Sequence, residues 1–389
     1  MMISDRLRYI EPSPTLEITA KAKALKAKGI DVIGLGAGEP DFDTPQHIKN
    51  ALFEAVDDGF IYYTPTEGII ELREAISEKL ERDNKIKYDP DGEIIVTPGA
   101  KQALYEAIMA ITNPEDEILI PDPWWVSYVP MVRVADGRPV FIPTTEENEF
   151  RLTAAAIEER ITDKTKGVII NSPNNPTGVV LSGYDLKTIA AICDEHDLIV
   201  ISDEIYEHLT YGVKHHSIAS FDGMRERTIT VNGFSKAYSM TGWRLGYAAG
   251  PRAIIEAMTK IQAHSISNTT SFVQKAGVVA LRSPQNCVAG MVREFKNRRD
   301  VVVKMLNGIE DVSCVTPHGA FYAFPNVSRY ERDSFKMADY LLNEAKVAVV
   351  PGRAFGECGE GFIRISYATS MDDLTRGIER IDEALKRLR

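Results

Sequence analysis

Residues 228–247, TITVNGFSKAYSMTGWRLGY, carry the strongest indication of the fold. A largely apolar run ends at a glycine, and Ser235, Lys236 and Arg244 follow within ten residues. A loop lysine is usually solvated, but two cations and a hydroxyl directly after a buried strand are an unusual group. Because ligands of parallel α/β sheets bind beyond the carboxyl ends of the strands, this stretch indicates a candidate binding site.

Four other apolar runs end in the same way, at a turn or a polar cluster. Their sequences are EIIVTP (93–98), DEILIPDP (116–123), KGVIINSP (166–173) and DLIVISDE (197–204). Short runs rich in β-branched residues, separated by helical patterns, are typical of a sheet buried on both faces. We therefore predict that the middle of the chain is α/β, with a mostly parallel sheet sandwiched by helices.

From about residue 285 the pattern changes to α+β. A long helix is predicted over residues 290–306, and an amphipathic helix closes the chain. Between them lie the strand-like runs GAFYAFPNV (319–327), VAVVPG (347–352) and GFIRISYA (361–368). We predict a large domain over residues 46–282 and a smaller α+β domain built from residues 1–45 and 283–389.

Composition and charge limit the function classes. The 389 residues are 44% hydrophobic and 26% charged, which is ordinary for a globular protein with a large core. The net charge of −11 argues against nucleic acid or a membrane surface as a partner, because both require a basic face. No apolar run approaches the length of about 18 residues that spans a bilayer, and the first residues lack an apolar targeting region. A cytoplasmic location is expected.

Cysteine and histidine spacing predicts neither a disulfide framework nor a metal site. The four cysteines are scattered without a CxxC pair, which indicates a reducing compartment. His215 and His216 are adjacent, but no second pair lies at metal-ligand spacing. We predict that these two histidines lie in a surface loop.

Polar groups that follow two of the predicted strands could bind a phosphate. Gly99, Ala100 and Lys101 begin a helical pattern, and N–H groups at a helix N-terminus bind anions. Ser235 could add a hydroxyl, and Arg244 could add a guanidinium fork to the same phosphate.

The other strand ends could bind a flat, basic ring that carries an aldehyde. Trp125 offers an aromatic face, and Asp203 could keep a ring nitrogen protonated. Asn175 and Tyr206 could reach a phenolic oxygen, while Lys236 could form a Schiff base with the aldehyde. A phosphate, a ring nitrogen, a phenolate and an aldehyde together describe pyridoxal 5′-phosphate, an electron sink that proteins orient and tune.

With these motifs the chain resembles a class I/II aminotransferase of fold type I, in the subgroup of prokaryotic aspartate aminotransferases. The resemblance covers nearly the whole chain, and its motifs keep their order. They are PSPT (12–15), GAGEPDFDTP (36–45), YYTPTEG (62–68), PWWVSY (123–128), NSPNNPTG (171–178), SDEIYE (202–207), SKAYSMTGWRLGY (235–247) and FIRISYATS (362–370). The resemblance implies the cofactor roles given above, with Lys236 as the catalytic residue that also moves the proton.

The resemblance also implies substrate contacts and a shared site. Arg364 would grip the α-carboxylate, a task that suits a planar guanidinium, and Gly38 would contact the same end of the substrate. Trp125 and Asn175 would contact the substrate as well as the cofactor. Tyr63 would reach the cofactor phosphate of a neighbouring subunit, so a homodimer with shared active sites is expected.

The preference for an acidic substrate depends on the far end of the site. A second carboxylate is expensive to bury without a partner. In the subgroup that this chain resembles, a lysine after the phosphate loop and two hydroxyl residues bind it, and Lys101, Ser13 and Thr15 match those positions. We expect amino transfer from aspartate to 2-oxoglutarate. The plain alternative is that Lys101 is a solvated residue in the first turn of a helix.

Several alternatives stay open at this stage. The donor could be an aromatic, branched or other neutral amino acid, or prephenate could be the partner substrate. Glu11 stands where some prephenate-accepting relatives carry a basic residue. A pyridoxal-phosphate-dependent carbon–sulfur lyase, or an idle relative that serves as a binding module, would share many of these residues. Trp124 precedes Trp125, so the identity of the stacking ring depends on alignment with WVSY.

Overall fold

The computed structural model describes residues 4, 7, 8, 10–12 and 14–388. The strands are β1 Ile33–Gly34, β2 Ile94–Thr97, β3 Glu117–Asp122, β4 Arg138–Pro143, β5 Thr165–Asn171, β6 Ile199–Asp203, β7 Thr228–Gly233, β8 Gly246–Ala249, β9 Tyr322–Ala323, β10 Val347–Ala348, β11 Val350–Pro351 and β12 Ile363–Ser366. The helices are α1 Pro14–Ala27, α2 Gln46–Asp57, α3 Ile70–Lys79, α4 Ala100–Ile111, α5 Tyr128–Val134, α6 Ala154–Glu158, α7 Gly183–Glu195, α8 Arg252–Ser265, α9 Ser271–Arg282, α10 Asn286–Leu306, α11 Ser334–Tyr340 and α12 Met371–Lys386. A π-helical turn, Leu80–Asn84, extends α3.

A seven-stranded sheet forms the centre of the protein, in the order β2-β8-β7-β6-β5-β3-β4. Strand β8 runs antiparallel to its neighbours β2 and β7, and the other paired strands are parallel. The predicted α/β class with a mostly parallel sheet is therefore confirmed. The five apolar runs chosen from the sequence became β2, β3, β5, β6 and β7.

Two strands of this sheet were not predicted from the sequence, and each has a physical reason. Strand β4 lies at the edge, contains two prolines and is only partly buried, so it lacks a continuous apolar run. Strand β8 has the sequence GYAA, which contains no β-branched residue.

The central sheet is buried on both faces, as its apolar strands predicted. Val168 and Ile170 of β5 pack into one apolar core with residues of α7. Ile169, which lies between them, packs into another core with residues of α4 and α8. Successive side chains of a strand point to opposite faces, so this alternation places helices on both sides of the sheet.

Two smaller sheets come from the ends of the chain. Strand β1 pairs parallel with β10, and β11, β12 and β9 form an antiparallel sheet. The predicted long helix is α10, which begins four residues earlier than expected. The division into domains at residues 46 and 282 stays a prediction. Within the described residues, no helix combines the length and apolarity needed to cross a membrane.

Candidate active site

A cavity of about 460 Å³ lies where the parallel strands of the central sheet end. Its lining includes residues at or shortly after the carboxyl ends of β2, β3, β5, β6 and β7. The lining residues that were predicted from the sequence are Thr15, Gly38, Ala100, Lys101, Trp125, Asn175, Asp203, Tyr206, Ser235, Lys236, Arg244 and Arg364. The structure thus brings most of the predicted set into one place.

Three predicted site residues are not in this lining: Gly99, which directly precedes the lining residue Ala100, Tyr63 and Ser13. Tyr63 is 90% exposed on the loop that follows α2. Tyr63 is predicted to contact the cofactor phosphate of a neighbouring subunit, and its exposure in a single chain does not test that role, which stays a prediction. Ser13 lies outside the described residues.

One end of the cavity is shaped by glycine. Gly99 precedes α4 with φ of 86°, and a Cβ atom at this position would lie 2.6 Å from Arg244 Nη2. The Arg244 guanidinium donates to the carbonyl oxygens of Thr241 at 2.9 Å and Pro98 at 3.2 Å. A Cβ at Gly246 would lie 2.4 Å from the backbone nitrogen of Ala100. Glycine at both positions lets the guanidinium and the N-terminus of α4 approach each other, which is a suitable environment for an anion.

The structure distinguishes the two adjacent tryptophans. Trp124 stacks on Phe141 with ring centroids 4.4 Å apart and packs against an apolar core. Trp125 lines the cavity, and Lys101 Nζ lies 4.9 Å from its ring centroid. Trp125 is therefore the ring available to a ligand in the cavity.

Asp203 is a buried carboxylate with two protein donors. Its Oδ2 accepts a hydrogen bond from the Tyr128 hydroxyl at 2.6 Å, and its Oδ1 accepts from the Ile205 N–H at 3.3 Å. Burial raises the pKa of Asp203 to about 6, although the Tyr128 hydrogen bond opposes this rise. A cationic group in the cavity would stabilise its ionised form. Sequence reasoning missed Tyr128, because a tyrosine in an apolar stretch has the pattern of a core residue.

Lys236 Nζ donates to the carbonyl oxygen of Gly38 at 2.5 Å. Burial, together with the positive charges of Arg364 and Arg244, lowers the pKa of Lys236 to about 8, although the negative charges of Glu39 and Asp203 oppose this shift. A larger fraction of this amine is therefore neutral near pH 7 than for a solvated lysine. A neutral amine is the form that attacks a carbonyl carbon or accepts a proton.

Arg364 is 3% exposed and lines the cavity from strand β12. Its Nη1 donates to Asn175 Oδ1 at 2.9 Å, and its Nη2 donates to the Gly36 carbonyl oxygen at 2.7 Å. Its Nε is buried without a hydrogen-bond partner among the described residues. The guanidinium lies over the Tyr322 ring, 4.4 Å from the centroid. A buried guanidinium with spare donor capacity is suited to a carboxylate.

Tyr322 is a lining residue that sequence reasoning missed. Its hydroxyl lies 2.9 Å from the hydroxyl of Tyr206, and either can donate. A Cβ at position 38 would come within 2.7 Å of the Tyr322 hydroxyl, so Gly38 makes room for it. In the sequence, Tyr322 lies in the apolar run GAFYAF and has no polar signal of its own.

Asn171 was missed as well, and it organises the loop around Asn175. Asn171 Nδ2 donates to the Asp203 carbonyl oxygen at 3.0 Å, and its Oδ1 accepts from the Asn175 N–H at 2.9 Å. This residue thereby links the ends of β5 and β6. Its place as the last residue of a strand was the available signal.

The surface-loop prediction for His215 was wrong. The His215 side chain is 10% exposed, and its Nε2 lies 3.1 Å from Glu204 Oε2. Adjacent histidines beside a lysine looked solvated in the sequence, but Glu204 provides a buried acceptor. His216 is partly exposed.

An amine of lowered pKa, a buried carboxylate and a buried guanidinium line one cavity, a combination that is suited to chemistry on a small acid. The sequence profile described as aminotransferase class I and II matches residues 30–381. An aspartate aminotransferase of Pyrococcus abyssi is 50% identical over 389 residues and is matched over 99% of each chain. The chain belongs to the family of class I and II aminotransferases.

Solved structures agree with this assignment and confirm the fold type. The crystal structure of an aromatic aminotransferase from Pyrococcus horikoshii is 50% identical, with a TM-score of 0.90 over 94% of this chain and 99% of that one. The aspartate aminotransferase of Thermus thermophilus with maleate is 41% identical, with a TM-score of 0.94 over 99% of this chain and 100% of that one. The resemblance stated from the motifs is confirmed.

Proposed function

We propose that this aminotransferase takes the amino group of aspartate and passes it to a 2-oxo acid, with 2-oxoglutarate as the expected acceptor. Pyridoxal 5′-phosphate held by Lys236 is the proposed cofactor. The observation that carries the proposal is the convergence of Lys236, Asp203 and Arg364 on one cavity. Each of these residues supplies a different part of the chemistry that amino transfer needs.

The residues of the cavity fit this cofactor. Arg244, Ser235 and the N-terminus of α4 would hold its phosphate, and the glycine at position 99 leaves room beside the guanidinium. Trp125 would face the ring. Asp203 would pair with the ring nitrogen. Its buried carboxylate lines the cavity, and a donor on each oxygen holds it in place. We call this part of the cavity the cofactor end.

Asn175 and Tyr206 complete the proposed cofactor contacts. Both side chains line the cavity, and Tyr206 is linked through its hydroxyl to Tyr322. Either donor could satisfy a phenolic oxygen. When bound, the cofactor supplies an electron sink that stabilises negative charge at Cα of the donor.

Lys236 is the proposed base for the donor amino acid. Its neutral Nζ would take the proton from Cα and later return a proton during transfer to the acceptor. Its lowered pKa makes the neutral form available near pH 7. Arg364 and Asn175 would hold the α-carboxylate and so orient the Cα–H bond toward this amine.

The far end of the substrate is the basis for the aspartate preference, and we call it the distal end. Lys101 and Thr15 both line the cavity. Desolvation and the nearby charge of Arg244 lower the pKa of Lys101, so an anion at this place would stabilise the ammonium. A second carboxylate is such an anion. The relative from Thermus thermophilus that carries maleate is named an aspartate aminotransferase, which supports a dicarboxylate substrate.

A neutral or aromatic donor is the second candidate. It is supported by the relative from Pyrococcus horikoshii, which is named an aromatic aminotransferase and has the same 50% identity to this chain as the aspartate aminotransferase of Pyrococcus abyssi. Aromatic side chains at the cavity, Trp125 and Tyr322, could also face an aromatic substrate. Prephenate is the further amino acceptor to be tested with this group.

We also propose a homodimer in which Tyr63 reaches the partner's cofactor phosphate. Large apolar residues are exposed near Tyr63 in the chain, on α2, on the following loop and at the start of α3; they are Phe53, Val56, Ile61, Tyr62 and Ile70. An exposed group of this kind commonly marks an interface.

We also propose the two-domain division stated above and a cytoplasmic location. The four free cysteines support the proposed location.

A panel of amino donors tests the substrate proposal. Aspartate, alanine and phenylalanine would each be offered with 2-oxoglutarate, glutamate would be offered with oxaloacetate, and prephenate would replace the acceptor in a second series. We expect kcat/KM to be highest for aspartate. A higher value for phenylalanine would select the aromatic candidate instead.

A further inference from the structure

Residues 203–207 alternate between two buried environments. Asp203, Ile205 and Tyr206 line the cavity, whereas Glu204 and Glu207 are absent from its described lining. Both glutamates are nonetheless buried, with exposures of 1% and 7%. Two carboxylates directly beside the proposed cofactor residues are costly to bury unless they are paired.

Helix α3 and its π-helical turn supply partners for both glutamates. Lys79 Nζ forms an ion pair with Glu207 Oε1 and donates to Asn84 Oδ1 at 2.6 Å. Asn84 Nδ2 donates to Glu207 Oε2 at 2.7 Å and to Glu204 Oε2 at 3.0 Å. Lys79 and Asn84 are five residues apart, which is the hydrogen-bond spacing of a π-helix. The π-helical turn therefore lets both side chains reach the same carboxylate.

Residues outside α3 and its π-helical turn supply the other polar partners of the two glutamates. Ser202 and Ser217 donate to Glu204 Oε1 at 3.0 and 2.5 Å. His215 Nε2 lies 3.1 Å from Glu204 Oε2, and His208 Nε2 lies 3.3 Å from Glu207 Oε1. We call Lys79, Asn84, Glu204, Glu207 and His215 the buried charge cluster.

The cluster has the spacing of a metal site but already contains a cation. Glu204, Glu207 and His215 present ligand atoms within 4.8 Å of one another. Burial alone would raise the pKa of Glu207, but the charges of Lys79, His208 and His215 hold it well below its usual range. The Lys79 ammonium thus provides the positive charge that a metal ion would bring, and we assign no ion to the cluster.

We propose that the buried charge cluster is a positioning device that holds residues 203–207 so that Asp203 and Tyr206 keep their places at the cofactor end. The inference rests on the proposed function of that end. Lys79 and Asn84 act through the glutamates, since neither is part of the described cavity lining. Two side chains on one helix thereby fix two carboxylates that flank Ile205 and Tyr206 in the chain.

The test is a double variant, Lys79→Met with Glu207→Met, measured as the full-length protein. Replacing both members of a buried ion pair by apolar residues usually preserves the fold, because no charge is left unpaired. We expect the cofactor-free variant to unfold cooperatively near the temperature of the unaltered protein. Its Kd for pyridoxal 5′-phosphate should rise about tenfold and its kcat should fall about tenfold, because small misplacements of reacting groups are costly.

The KM for aspartate should change little in this variant, because Arg364 lies on β12 and is held by Asn175 and Gly36. Ser77→Ala is the matched control. Ser77 is a buried residue of α3 that donates to the Tyr88 carbonyl oxygen at 2.6 Å and, among the described residues, forms no hydrogen bond with residues 203–207. It tests loss of a buried polar contact in the same helix, and its Kd for the cofactor should stay unchanged.

The outcomes separate this inference from the proposed function. A Kd and kcat in the double variant equal to those of Ser77→Ala would overturn the inference alone, since the cluster would then serve stability only. Failure of the unaltered protein to bind pyridoxal 5′-phosphate would overturn both. If the double variant does not fold, Glu204→Gln takes its place with the same readouts, because it keeps the size of the side chain and removes its charge.

Discussion

The cofactor end and the distal end of the cavity are built from different parts of the fold. At the cofactor end, Asp203, Ser235 and Lys236 lie at or just after strands of the central sheet. At the distal end, Thr15 comes from α1, near the start of the chain, and Lys101 comes from α4. Adjacent parallel strands fix the first group relative to one another. In the second group, Thr15 depends on how α1 packs, whereas Lys101 lies in the first turn of the helix that follows β2, next to the cofactor end.

This difference separates what the two ends should control. A change at the cofactor end alters the chemistry that every substrate shares, so all donors should suffer alike. A change at the distal end alters contacts that only some substrates make, so donors should be affected unequally. The following predictions use this contrast and go from the largest expected effect to the smallest.

Lys236→Ala should have the largest effect, and it should be equal for all donors. The variant lacks the proposed attachment point and base, and a positioned base contributes on the order of 10²- to 10⁴-fold in rate. The loss of activity is measured by comparing the steady-state rates of the variant and the unaltered protein with aspartate and with phenylalanine. Turnover close to that of the unaltered protein would remove Lys236 from the mechanism.

Arg364→Lys should raise KM for acidic and neutral donors by similar factors. Lysine cannot bind a carboxylate with two parallel hydrogen bonds while also contacting Asn175 and Gly36. A loss of about 1.5–3 kcal/mol for a charge-assisted hydrogen bond corresponds to about 10- to 100-fold. A KM increase confined to aspartate would move Arg364 to the distal end.

Lys101→Ser should distinguish the donors. We expect kcat/KM for aspartate to fall about 10- to 100-fold, with a much smaller change for alanine and phenylalanine. The ratio of the two losses is the quantity to measure. Equal losses would assign Lys101 to the cofactor and leave the preference for an acidic substrate without support.

The pH dependence of cofactor uptake should report the state of Lys236 in the cofactor-free protein. Since its pKa is lowered to about 8, the neutral fraction should grow roughly tenfold from pH 7 to pH 9 and then level off. The rate of absorbance change on adding pyridoxal 5′-phosphate would follow this fraction. A lysine with its ordinary pKa near 10.5 would instead give roughly a hundredfold rise without levelling.

The same contrast explains what the sequence could predict. Asp203, Lys236 and Asn175 were found because strand ends of a parallel sheet collect at one edge, so their positions along the chain were informative. Tyr128 and Tyr322 were missed because their hydroxyl partners, Asp203 and Tyr206, are distant in the sequence while their local sequence is apolar. His215 was misplaced for a similar reason, since its acceptor Glu204 is not apparent from its neighbours.

The most decisive measurement is a reaction of the cofactor-loaded protein with aspartate and no acceptor. Amino transfer predicts one equivalent of oxaloacetate per bound cofactor, no ammonia, and renewed turnover only after 2-oxoglutarate is added. An elimination or lyase reaction would need no acceptor and would continue. Sustained product release with ammonia would contradict amino transfer, and no oxaloacetate at all would contradict aspartate as the donor.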